Sequence, residues 1–142
     1  MNHKPILTAT VLCLLSFAGA FPGAAIADEM LVDRPVHQLR IYHIEGSNRQ
    51  AFHERFRDHA ARIMETYGFD IVAMWESELG DRLEFVYLLE WPDVETMRRQ
   101  WSAFMDDEEW ARIKRETGAV HGTFVHDIED RTLHLTRYSP QP

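Results

Sequence analysis

Met74–Trp91 reads MWESELGDRLEFVYLLEW. Two runs rich in aromatic and apolar residues flank a polar tip, Gly80-Asp81. Glycine at the first central position of a two-residue loop suits a type II′ turn, whose twist matches that of antiparallel strands. The stretch therefore predicts a β-hairpin, with Phe69–Glu78 paired to Arg82–Trp91.

Upstream, Val36–Ile44 (VHQLRIYHI) alternates, with Leu39 and Ile41 on one face and Gln38, Arg40 and Tyr42 on the other. That period of two predicts a strand. Ser47 with Gln50 three residues on predicts a capping box and a helix from about Asn48 to Tyr67. Its apolar stripe is Phe52, Phe56, Ala60, Ile63 and Tyr67, and Gly68 supplies the stop signal. Downstream, Asp93 is the expected N-cap of a second helix with Val94, Met97, Trp101 and Phe104 on one face. Asp106–Glu109 interrupts it. A further helical piece, about Glu109–Glu116, carries Trp110 and Ile113 and is expected to stop at Gly118. Ala119–Arg131 is the least legible part. Arg131–Ser139 alternates again and predicts the last strand.

The order is β-α-β-β-α-β, an α+β, ferredoxin-like plan. Two helices cover one face of such a sheet and leave the other open. The open face is expected to carry Tyr42 together with Phe85, Tyr87 and Trp91 or their alternates. An open apolar face of that size marks an interaction site, and a homodimer packed sheet to sheet is the simplest partner for it.

The chain has 142 residues, enough for one ordinary domain, and a net charge of −8. That charge argues against a nucleic-acid partner. At the N-terminus, Lys4 precedes an apolar run from Ile6 to Phe21, then Pro22, Gly23 and the A-x-A pattern Ala25-Ile26-Ala27. This is read as a secretory signal peptide, residues 1–27, cleaved between Ala27 and Asp28 and followed by a linker, 28–35, and a single domain, 36–142. The run is short for a membrane span and is broken by Gly and Pro. A lipoprotein reading would use Cys13, which lacks the small residue expected before a lipidated cysteine. The expected location is therefore exported, periplasmic or secreted, with no stable membrane span after cleavage. Of 15 Lys+Arg, removal of Lys4 leaves 14 against 23 Asp+Glu, a mature net charge of −9. Cys13 is the sole cysteine, so the mature chain forms no disulfide despite an export route that permits one.

With the hairpin and helices placed, the sequence resembles the NIPSNAP family. The matching residues are Gln38-Leu39-Arg40-Ile41-Tyr42, Phe52…Phe56…His59, Trp75-Glu76-Ser77-Glu78-Leu79-Gly80, Val86-Tyr87-Leu88 and Trp101…Phe104…Glu109-Trp110. They cover about Val36 to Ile113. Glu45-Gly46 stands where the family pattern has Pro-Gly, and Ala119–Pro142 matches weakly. The resemblance implies a dimeric α+β barrel. It implies no settled reaction, and the cofactor-free monooxygenases and haem enzymes that share the fold are analogies of fold alone.

The candidate chemistry is sparse. Seven of the eight histidines survive cleavage, and none pairs at a ligand spacing: His53 and His59 are six apart on a helix, and His37 and His43 are six apart on a strand. No metal or other cofactor is expected, and the absence of C-x-x-C-H excludes covalent haem. No nucleophile elbow appears. Glu76, beside Trp75 and the turn, is the first candidate acid or base, since a carboxyl against an aromatic pocket can hold a raised pKa. His59, at the edge of the first helix's stripe, and Tyr87 follow. The expected ligand-binding side chains are Tyr42, Trp75, Tyr87, Trp91 and Trp101. Solvent-facing carboxylates and a packed aromatic core are the plainer account of the same residues. The leading expectation is an exported module that binds a small apolar ligand or a protein. The alternative is a cofactor-independent monooxygenase or isomerase acting on an aromatic or quinone-like substrate.

Overall fold

A computed structural model describes residues 35–140. The signal peptide, its cleavage point at Ala27 and Asp28, and all of the linker but Pro35 lie outside those residues.

The chain forms β1 (Val36–Ile44), helix α1, the hairpin β2 (Asp70–Leu79) and β3 (Arg82–Trp91), helix α2 (Val94–Met105), helix α3 (Glu108–His121) and β4 (Val125–His134). Helix α1 runs through three contiguous segments: α-helical Arg49–Arg55, a π turn at Phe56–Ala60, and α-helical Ala61–Thr66. The four strands make one antiparallel sheet in the order β2-β3-β1-β4. This is the ferredoxin-like α+β arrangement. Leu79 pairs with Arg82, so Gly80-Asp81 is a two-residue loop. Gly80 has φ +62° while Asp81 stays at negative φ, as a type II′ turn requires.

Alternation along β3 sorts its residues cleanly. Phe85, Tyr87, Leu89 and Trp91 are buried under the helices, and Val86 and Leu88 face the other way. Tyr42 lies opposite Phe85 and shares its side. The aromatic face expected to stand open is thus the covered one. Rings from α1, α2 and the connection into β2 explain why: Phe56 packs tilted against Phe85 at 4.6 Å, and Phe69 meets Trp91 at 4.7 Å and Trp101 at 4.8 Å between centroids. Such edge and offset pairs add to the free energy of burial. The open face instead carries Leu39, Ile41, Val86, Leu88 and Trp75, with Trp75 51% exposed. Histidine–carboxylate contacts rim it, His37 with Glu90 at 3.3 Å and His43 with Glu84 and Glu129, each at 3.6 Å.

Three local expectations are also corrected. The Ser47–Gln50 capping box does not form. Ser47 sits in a short turn of 3-10 helix, Gly46–Asn48, where it donates to Glu45, and Gln50 donates to Glu54 at 2.9 Å. Asn48 ties the turn to the far end of α3 through the carbonyls of His121 at 2.8 Å and Thr123 at 2.7 Å. Helix α3 runs through Gly118, whose cost in a helix is only about 1 kcal/mol, and stops at Gly122, φ +74°. The last strand begins at Val125 and ends at His134, because His134 is already opposite Val36, the first residue of β1. Beyond it the ladder has no partner among the described residues.

The break between α2 and α3 matches the sequence reading. Asp107 caps α3 by accepting from the Trp110 N–H at 2.7 Å and also accepts from the Tyr67 hydroxyl at 2.8 Å, linking α1 to the same corner. The Trp110 N–H, with help from Tyr67, holds the Asp107 carboxyl below the usual carboxylate range. A depressed folded-state pKa contributes stability above the unfolded value and loses it as pH falls through the folded one. Asp107→Ala is expected to cost about 1 kcal/mol at neutral pH. Urea unfolding should find the gap between variant and parent narrowing below about pH 4, where aspartate titrates in the unfolded chain.

Candidate functional site

The inner face of β1 is polar at its centre. Between buried Val36 and Ile44 it presents Gln38, Arg40 and Tyr42 to the helices. A buried polar group is costly unless hydrogen-bonded, and here the bonds form one network. The Gln38 side-chain oxygen accepts from the indoles of Trp101 at 2.7 Å and Trp91 at 3.1 Å. Its amide nitrogen donates to both oxygens of Asp130 on β4, at 2.9 and 3.0 Å. These partners fix the orientation of the amide, since only one flip state satisfies all of them. Arg40 donates to the same carboxylate at 2.5 Å and lies over the Trp101 ring at 4.5 Å. It also donates to the Tyr42 hydroxyl at 3.4 Å, which is in turn bonded to the Tyr87 hydroxyl at 2.8 Å.

Electrostatics fix the protonation of two members of this chain, Arg40 and Tyr87. Burial pulls the Arg40 guanidinium down, but Tyr42, Tyr87 and Asp130 outweigh it and hold its pKa above the ordinary value. Burial also pushes the Tyr87 hydroxyl well above the usual phenol range, and Tyr42 adds to this. Arg40 is therefore a fixed cation and Tyr87 a fixed neutral donor or acceptor. One atom is left over: the Arg40 Nε is buried with no hydrogen-bond partner among the described residues.

Next to this network, between sheet and helices, lies a cavity of about 40 Å³ lined by Tyr42, Phe52, Arg55, Phe56, Ala60, Met64, Phe104 and Trp110. The π turn of α1 sits on it. The Ala61 N–H bonds to the Phe56 carbonyl five residues back, and both Phe56 and Ala60 line the space. A π turn inserts one extra residue into a helix and weakens its ladder locally, and such turns concentrate at functional sites.

The structure distributes the sequence-predicted residues unevenly. Tyr42, Tyr87, Trp91 and Trp101 join one network. Trp75 lies on the opposite face of the sheet, away from them. None of the three candidate catalytic residues bonds to another. Tyr87 bonds Tyr42, while Glu76 at the β2 edge accepts from Arg49 and pairs with His53 at 2.7 Å. His59 lines a separate cleft between α1 and α3 with Glu54, Asp58 and His121. Burial raises the Glu76 pKa, but Arg49 and His53 together lower it more, so the net direction is downward. That is opposite to the direction a neutral acid needs.

Sequence reasoning passed over Gln38, Arg40, Asp130 and Arg55. For the first two a signal was present: three polar residues of one parity between apolar ends of a strand. Asp130 and Arg55 carry no such mark.

Comparison with known proteins follows the fold. The NIPSNAP family model matches residues 37–140. Among solved structures, an uncharacterized NIPSNAP-like domain protein from Burkholderia xenovorans superposes with a TM-score of 0.65 at 16% identity, covering 77% of this chain and 91% of that one. A NIPSNAP family protein from Agrobacterium tumefaciens gives 0.66 at 16% identity, covering 77% and 100%. Another from the same organism, described as of unknown function, gives 0.64 at 17% identity, covering 76% and 94%. At this identity the likeness is one of fold. No curated protein matches the sequence. A family match over residues 37–140, carried on the same four-stranded sheet and three helices, places the chain: it belongs to the NIPSNAP family.

Proposed function

We propose that the protein is an exported, homodimeric NIPSNAP domain that binds a small, mainly apolar ligand between its sheet and its helices. The observation that carries this reading is the cavity under the π turn of α1, walled largely by Phe52, Phe56, Met64, Phe104 and Trp110 and bordered by a preorganised polar network. Apolar walls with a few fixed polar groups are the ordinary anatomy of a small-molecule site. The size of the space narrows the occupant. About 40 Å³ exceeds the ~10–15 Å³ that one water needs and falls well short of the ~150 Å³ that admits a benzene ring.

Dimerisation rests on the open sheet face. Four strands spaced ~4.8 Å apart and about ten residues long, at ~3.3 Å each, present roughly 20 by 30 Å. That footprint is of the order of one side of a standard interface, ~800 Å². Export rests on the N-terminal segment.

Native mass spectrometry tests the three parts together, on protein produced with its own N-terminus and recovered from the exported fraction. The expected spectrum is a dimer of chains beginning at Asp28, with added mass that leaves on activation. A retained N-terminus removes the export reading. A monomer removes the dimer. Failure to retain or take up any small molecule across a fragment screen removes the ligand site.

A further inference from the structure

Arg55 is the one charged residue lining the cavity. It is part-buried, and it differs from the other arginines near it. Arg49, Arg57 and Arg62 each hold a carboxylate, Glu76, Asp58 and Glu109 respectively. Arg55 has none among the described residues. Its one hydrogen bond goes to the neutral Thr117 hydroxyl at 3.3 Å. Its remaining neighbours are ring faces, Phe124 at 3.8 Å and Trp110 at 5.7 Å from the guanidinium carbon. Arg55 also lines the open cleft between α1 and α3, with Thr117, Phe124, Glu54 and Asp58, yet neither carboxylate pairs with it. A half-buried guanidinium without a carboxylate partner is a less favourable arrangement than its ion-paired neighbours have, and an incoming anion relieves it. Burial accordingly pulls the Arg55 pKa below its ordinary value.

A second donor is at hand. Tyr42 lines the same cavity, and its hydroxyl shares a bond with Tyr87 while accepting from Arg40. When Tyr87 donates in that pair, the Tyr42 proton is free for a ligand oxygen.

We infer that the cavity takes a one- or two-carbon carboxylate, with Arg55 as counter-ion, Tyr42 as a second donor, and the methyl of the two-carbon acid among Phe52, Phe56 and Met64. This rests on the ligand-binding reading above and gives that ligand its chemical class. The guanidinium matches a carboxylate fork to fork, a geometry that an ammonium lacks. A volume of about 40 Å³ that excludes a six-carbon ring limits the occupant to fewer heavy atoms than benzene has.

The test uses acetate and its uncharged isostere acetamide, titrated into the exported protein and followed by the backbone and indole NMR resonances of Ala60, Trp110 and Thr117. Acetate is expected to shift these resonances saturably, and acetamide to bind at least tenfold more weakly. Arg55→Gln should bring acetate down to the level of the amide, while Arg55→Lys should retain most of the preference for charge. Equal binding of acetate and acetamide to the parent protein would overturn the carboxylate assignment and leave the ligand site standing. No shift at these resonances with either probe would overturn both. The comparison of the two probes on the parent protein needs no variant, so misfolding of Arg55→Gln does not blunt it.

Discussion

Gln38→Leu is expected to destabilise the protein by about 3 kcal/mol in urea unfolding. Gln38 is 1% exposed and serves three partners at once: the indoles of Trp91 and Trp101 and the carboxylate of Asp130. Leucine has nearly the same volume, so the packing loss is small. What changes is hydrogen bonding. Trp91 is 0% exposed, so its N–H cannot turn to water, and a buried donor left unpaired costs about 1–3 kcal/mol. Trp101 is only part-buried and recovers some hydration. Asp130 keeps Arg40 but loses the Gln38 amide that donates to both its oxygens. A double-mutant cycle separates these terms. Trp101→Phe removes the indole N–H itself, so adding it to Gln38→Leu should cost less than it does alone, with a coupling of about 1 kcal/mol. If Gln38→Leu unfolds at the urea concentration of the parent, the network does not hold the sheet to α2, and the case for a preorganised site beside the cavity falls with it.

The same residue marks where the sequence could and could not be read. The hairpin was legible because a two-residue turn with glycine first has one good solution, and Leu79 opposite Arg82 confirms that register. β1 was legible from alternation alone. The facing of the sheet was misread although β3 carried a signal: Leu83, Phe85, Tyr87, Leu89 and Trp91 share one side, and the other side sets Val86 and Leu88 between Glu84 and Glu90. Both sides are apolar at their centre, but only one is free of charge. On β1 the pattern ran against expectation: the face bearing Gln38 and Arg40 looks solvent-facing until Trp91, Trp101 and Asp130 are seen to satisfy it. These partners come from β3, α2 and β4, up to 92 residues away in sequence, and no local spacing encodes them. Arg55 was hidden for a similar reason, since its isolation from carboxylates is a fact of tertiary packing. The end of α3 was misread because glycine at 118 and glycine at 122 look alike in sequence, and only the second adopts positive φ.

Leu88→Glu is expected to convert the proposed dimer to a monomer while leaving the fold intact. Leu88 sits near the centre of the open face. It lies opposite Leu39 on β1 and Ala73 on β2, with no basic side chain at either pairing position. In a monomer the side chain is half-exposed, so a carboxylate there keeps its hydration and the domain should unfold within about 0.5 kcal/mol of the parent, as for most surface substitutions. In a sheet-to-sheet dimer the same carboxylate would be withdrawn from water. An uncompensated charge at such a centre costs about 3–5 kcal/mol. A twofold interface is isologous, so the substitution enters twice, and the two new carboxylates face each other across the axis. A single such penalty is a factor of about 10²–10³ in the dissociation constant, and the pair should exceed it. Sedimentation equilibrium on parent and variant would read the effect directly. Leu88→Met is the control that keeps the face apolar and should leave the dimer unchanged. A Leu88→Glu protein that stays dimeric at the concentration of the parent would show that the open face is not the contact, and the polar rim of His37, His43, Glu84 and Glu90 would then bound a surface kept for some other partner.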